Sequence, residues 1–145
     1  MNKDVYRKEK SSVSKINIHL VFVSKYRKKV FTHESLLTMK SVMHRVARKM
    51  NFDILEIEAE SDHVHLLIEI PPKLSVSQVV NSLKGVSSIM LRKKHLELRK
   101  YKSLWSPSYF AISCGGAPIE IIKQYIQNQS TPEGAGSNPR KPRSR

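Results

Sequence analysis

The chain has 145 residues, enough for one domain with a real hydrophobic core. It carries 26 Lys and Arg against 12 Asp and Glu, a formal charge of +14, which favours a polyanionic partner: nucleic acid first, an acidic membrane surface second. Its one cysteine excludes an internal disulfide and fits a reducing, cytoplasmic setting, and no apolar stretch approaches the length of a membrane span.

Residues 1–13 read as a polar leader with partial disorder, and their lack of an apolar stretch argues against a signal peptide. Ile16, Ile18, Leu20 and Phe22 alternate with Asn17, His19, Val21 and Val23, which predicts a first strand apolar on both sides. Residues 25–29, Lys-Tyr-Arg-Lys-Lys, follow as a basic loop with an aromatic inside it. From His33 to Met50, apolar residues recur every three or four positions, the spacing of a helix that Asn51 ends. Residues 52–60 and 62–70 predict two further strands joined as a hairpin, and Pro71-Pro72 stops the second of them.

Ser75 is the expected N-cap of a helix bearing Val76, Val79, Val80, Leu83, Val86 and Met90, which ends at Arg92-Lys93-Lys94, where cations suit the helix dipole. Residues 95–107 read as irregular, 108–114 as a fourth strand ended by Gly115-Gly116, and 119–129 as a last helix opened by Pro118. Residues 131–145 have almost nothing to bury and predict a disordered basic tail, which leaves 14–130 as the folded domain. The order β-α-β-β-α-β-α predicts an α+β fold. Its first six elements are those of the ferredoxin-like split βαβ antiparallel sheet, shared with RNA-recognition domains, and the last helix is an addition. In that arrangement the first and third strands are central.

The chemistry concentrates at His63-Val64-His65. Side chains two apart on a strand share a face, so both imidazoles can reach one metal ion while Val64, Leu66, Ile68 and Ile70 enter the core. Two imidazoles alone make a weak site. Tyr125 and Gln129 lie four residues apart on the last helix and project from one face. If that face covers the sheet, both arrive near the histidines, and a phenol beside a divalent metal suggests covalent chemistry on phosphate. His19 is the other histidine that can share this face.

Ser61-Asp62-His63-Val64-His65-Leu66-Leu67, followed some 60 residues later by Gln124-Tyr125-Ile126-Gln127-Asn128-Gln129, resembles the single-tyrosine HUH transposases of small insertion sequences that move as single-stranded DNA. The basic loop at 25–30, Leu83-Lys84-Gly85, Leu104-Trp105 and Gly115-Gly116-Ala117-Pro118 match as well. The resemblance implies His63, His65 and Gln129 as ligands of magnesium or manganese. It implies Tyr125 as the nucleophile that forms a 5′-phosphotyrosine link and releases a 3′-hydroxyl. It further implies a homodimer in which the tyrosine helix can serve the partner's site, with the two glycines as hinge. By position, the role of binding subterminal DNA hairpins falls to Lys25, Arg27, Lys28, Lys84, Arg92 and Lys93. Two other readings share parts of this pattern. One is a non-catalytic single-strand-binding module of the same fold; the other is a metal-dependent nuclease using water.

Overall fold

The computed structural model describes residues 6–114 and Gln124. Four strands form the main sheet: β3 (Asn17–Val23), β4 (Asp53–Glu60), β5 (His63–Glu69) and β6 (Phe110–Ser113). All neighbours are antiparallel in the order β4-β5-β3-β6. This is the strand order of the split βαβ arrangement, with the predicted first and third strands at the centre. Strand ends differ from the sequence expectation by two residues at most.

Helix α1 (His33–Met50) starts at Thr32, whose hydroxyl accepts from the Ser35 N–H while Ser35 Oγ accepts from the Thr32 N–H. It ends at Asn51, left-handed at φ 63°, a conformation that Asn tolerates. Helix α2 (Val76–Lys94) uses the same reciprocal cap between Ser75 and Gln78. No helix among the described residues is long and apolar enough to cross a membrane.

The core fills one side of the sheet. Ile18, Leu20, Phe22, Val64, Leu66 and Ile68 point to that face and meet Met39, Met43, Val79 and Leu83 from the helices. The register pairs His63 with Val23, His65 with Val21 and Leu67 with His19, so these residues share the opposite face.

Two segments are more ordered than the sequence predicts. At the end of the expected leader and one residue beyond it, β1 (Arg7–Glu9) and β2 (Ser12–Ser14) form an antiparallel hairpin. Its anchor is Arg7, whose guanidinium donates to Glu69 at 2.7 and 2.9 Å and to Asp53 at 3.0 Å. A carboxylate buried in an apolar strand needs a cation, and Arg7 supplies it. Arg7→Ala strands the Glu69 carboxylate, so urea unfolding should report a loss of roughly 3–5 kcal/mol.

The stretch read as irregular, 95–107, contains a 3-10 turn (Leu96–Lys100) and buries Leu98, Leu104 and Trp105. The Trp105 ring stands edge-on to Phe22 at 5.9 Å, and its indole N–H donates to Ser87 Oγ at 3.0 Å.

Candidate metal centre and its basic rim

His63 and His65 lie on the sheet face turned away from α1 and α2. Both are nearly buried, and their rings are almost parallel at 6.4 Å between centroids. Asp62 takes a hydrogen bond from His63 Nδ1 at 2.8 Å. That bond sets the tautomer, so Nε2 carries the lone pair a metal would use. The other Asp62 oxygen accepts from Arg27 Nη2 at 3.3 Å. Burial by itself would raise the Asp62 carboxyl. The His63 hydrogen bond and the Arg27 charge outweigh it, and the carboxyl sits below its ordinary value. The backbone closes the same corner, because the Ser24 N–H donates to the Asp62 carbonyl at 2.9 Å.

His65 Nε2 lies 3.3 Å from Glu58 Oε1, its cross-strand neighbour on β4. Each histidine therefore has a carboxylate beside it, one from the chain and one from across the sheet. His19 does share this face: it pairs with Leu67, one step along from the Val21–His65 pair. Among the described residues, no set of three or more His, Cys, Asp or Glu side chains is arranged to hold a metal ion. Within that part of the chain the candidate centre is a two-point site. Tyr125 and Gln129 lie outside the described residues, as do Gly115-Gly116, most of the predicted last helix and the basic tail. Cys114 is no rival nucleophile: burial pushes its thiol up to about 11, partly offset by a hydrogen bond with the His19 backbone.

The six basic residues expected at DNA divide into two groups. Lys25, Lys28 and Lys93 are exposed or half-exposed. Arg27, Lys84 and Arg92 are engaged within the protein. Arg27 holds Asp62. Lys84 Nζ donates to the carbonyls of Ser106 at 2.6 Å and Ser108 at 3.2 Å, and burial lowers its pKa. Arg92 Nη2 donates to the Tyr101 carbonyl at 2.8 Å. Lys84 and Arg92 thus pin the 101–108 segment in place. A basic side chain in a sequence does not reveal whether its acceptor is a phosphate or the chain's own carbonyl.

Lys100, Tyr101 and Lys102, within the stretch read as irregular, stand beside Lys25, Tyr26 and Lys28 at one cleft that the sequence reading did not single out. The available signal was the repeated Lys-Tyr-basic triplet at 25–27 and 100–102. The 3-10 turn Lys25–Arg27 has two consecutive left-handed residues, Tyr26 at φ 60° and Arg27 at φ 56°. Such conformations cost roughly 1–3 kcal/mol each and persist only where the surroundings enforce them. Here the Lys25 N–H is fixed to the Leu104 carbonyl and the Arg27 N–H to the Ser24 carbonyl, both at 2.9 Å.

The family model described as "Transposase IS200 like" matches residues 12–129. The transposase of insertion sequence IS200 from Salmonella typhimurium is 38% identical over 114 residues, covering 77% of this chain and 74% of that protein. The ISDra2 transposase TnpA of Deinococcus radiodurans is 27% identical over 130 residues, covering 88% and 93%. Among solved structures, a candidate transposase from Deinococcus radiodurans R1 superposes with a TM-score of 0.70 at 29% identity, covering 85% of this chain and 97% of that one. A REP-associated tyrosine transposase bound to a REP hairpin shares the fold, with a TM-score of 0.59 at 11% identity over 84% and 69% of the two chains. The histidine pair on the central strand lies inside the matched span, as do Tyr125 and Gln129, and the chain belongs to the IS200-like transposase family.

Proposed function

We propose that this transposase cuts and rejoins single-stranded DNA at insertion-sequence ends through a covalent 5′-phosphotyrosine at Tyr125. The observation that carries the reading is the oriented pair His63 and His65, with His63 fixed by Asp62, on a chain whose family span includes Tyr125. Two imidazoles on one rigid face fit a divalent cation, and His63, His65 and Gln129 would hold it. Magnesium or manganese is the expected ion, with the imidazoles favouring manganese. When bound, it supplies Lewis-acid polarisation of the phosphoryl oxygens.

The phenolic oxygen of Tyr125 attacks phosphorus as its proton departs. The bond between phosphorus and the 3′-oxygen breaks, and that oxygen leaves with a proton as a free 3′-hydroxyl. One phosphodiester is exchanged for another, so the reverse attack by a 3′-hydroxyl rejoins strands without an external energy source. Asp62 and Arg27 keep His63 in its tautomer and orientation throughout. Subterminal hairpins are the expected docking partners, with Lys25, Lys28 and Lys93 as phosphate contacts. A homodimer in which the tyrosine helix serves the partner's site completes the proposal.

The sheet face bearing His63 argues against a base-stacking module. RNA-recognition sheets place aromatics on their central strands, whereas β3 and β5 present Asn17, His19, Val21, His63, His65 and Leu67 there. The test is cleavage of a single strand from the element's flank, with the same sequence as a duplex for comparison. Metal-dependent cutting of the single strand alone supports the reading, and equal cutting of both overturns it. Asp62→Ala removes the acceptor at His63 Nδ1. Calorimetric titration with manganese should show affinity weakened about 10- to 100-fold, the usual worth of a ligand-orienting carboxylate.

A further inference from the structure

The turn at residues 25–28 forms one wall of a cleft, and the 100–104 segment forms the other. The cleft has a volume of about 420 Å³ and is lined by Lys25, Tyr26, Lys28, Lys100, Tyr101 and Lys102, with no acidic side chain among its lining residues. Its size falls within the range of about 300–1,000 Å³ usual for small-molecule pockets.

Tyr26 is 79% exposed, so its ring adds little to the core. The left-handed turn nevertheless holds it at the cleft, with Lys25 Nζ 5.4 Å from its centroid. Tyr101 is the fixed counterpart: it packs against the core, its carbonyl is held by Arg92, and Lys100 Nζ lies 5.4 Å from its ring. The strained turn thus displays an exposed aromatic ring among lysines, and such strain clusters at functional sites. Aromatic rings beside ammonium groups are the composition of sites that stack bases and hold the flanking phosphates. Inside a duplex the base faces are already stacked on one another, so away from a helix end an unpaired base is what can use the Tyr26 ring.

We infer that this cleft takes one unpaired nucleotide of the DNA strand, its base stacked on Tyr26 and its phosphates on Lys28, Lys100 and Lys102. The inference rests on the reading of the chain as acting on single-stranded DNA. The same turn faces two ways. Lys25, Tyr26 and Lys28 line the cleft, while Arg27 reaches Asp62 and through it His63. A nucleotide held in the cleft is therefore tied by a short chain of contacts to the metal ligand. Stacking and phosphate contact dominate the lining, so this position tolerates any base.

The test titrates the full-length protein, without divalent metal, against a fluorescein-labelled hairpin with an unpaired flank and against the same hairpin made blunt. Tyr26→Asn removes the ring but keeps the left-handed turn, which Asn tolerates. Tyr26→Phe keeps the ring. Tyr26→Asn should weaken binding of the flanked hairpin roughly 5- to 150-fold, the worth of one stacked base, and leave the blunt hairpin unchanged. Tyr26→Phe should bind both like the wild type, and a 5-iodouracil in the flank should photocrosslink to Tyr26 or Tyr101. Equal loss on both hairpins, no loss on either, or a crosslink confined to other residues overturns the inference. So does a wild-type protein that holds the flanked hairpin no tighter than the blunt one. Covalent cleavage is scored separately with metal. A normal Tyr125 adduct beside unaffected Tyr26→Asn binding rejects the cleft alone. The predicted binding loss without any adduct rejects the cleavage reading alone.

Discussion

Tyr125→Phe is expected to abolish DNA cleavage while leaving hairpin binding within about twofold of wild type. The substitution removes one oxygen and keeps the ring, so it leaves the basic side chains expected at the hairpin unchanged. Loss of a covalent nucleophile costs on the order of 10,000-fold or more in rate, because the remaining groups have nothing to orient. Electrophoretic mobility shift with the hairpin and a cleavage gel run on the same preparation separate the two effects. A variant that cleaves at the wild-type rate removes Tyr125 from the mechanism. A variant that loses binding and cleavage together gives it a structural role instead.

The second large effect is expected at His65. His65→Ala removes one imidazole from the central strand and leaves His63 with its Asp62 and Arg27 partners intact. Manganese affinity should fall by more than about 100-fold, beyond the loss expected from an orienting carboxylate. Cleavage should fall with it, and excess metal should restore part of the rate. His65 is buried, so circular dichroism and a urea titration must accompany the binding curve. Unchanged metal affinity in a folded His65→Ala protein would show that the histidine pair is not the metal site. His63→Ala should behave in the same way, since both rings face one side of the sheet.

The elements that carry this site were legible because their signals are local. The period of α1 and α2, the Ser75 cap, the stop at Asn51 and the alternation along β5 need only neighbouring residues to be read. The placement of His63 and His65 on the face away from the helices follows from strand alternation plus the burial of Val64 and Leu66. What escaped the sequence depends on distant partners. The hairpin at residues 7–14 is anchored by Arg7 on Glu69, and neither residue announces the other. The 95–107 segment is ordered by Trp105 reaching Ser87 and by Lys84 gripping the carbonyls of Ser106 and Ser108. The partners that Lys84, Arg92 and Arg27 have within the protein also went unread, because charge is visible in a sequence and the acceptor is not. The left-handed turn at Tyr26 and Arg27 has no glycine or asparagine to betray it, and it is enforced by hydrogen bonds from the Lys25 and Arg27 N–H groups to the carbonyls of Leu104 and Ser24.

A tyrosine nucleophile leaves the protein itself bonded to the 5′ end of the cut strand. The most direct measurement uses a 3′-end-labelled single strand from the element's flank with manganese, followed by a denaturing gel and mass spectrometry of the nuclease-trimmed product. The expected result is a labelled band retarded by the mass of the protein, absent when the metal is chelated, with the nucleotide remnant on the peptide that contains Tyr125. A labelled product released with a free 5′ end and no protein attached would contradict it and identify water as the nucleophile.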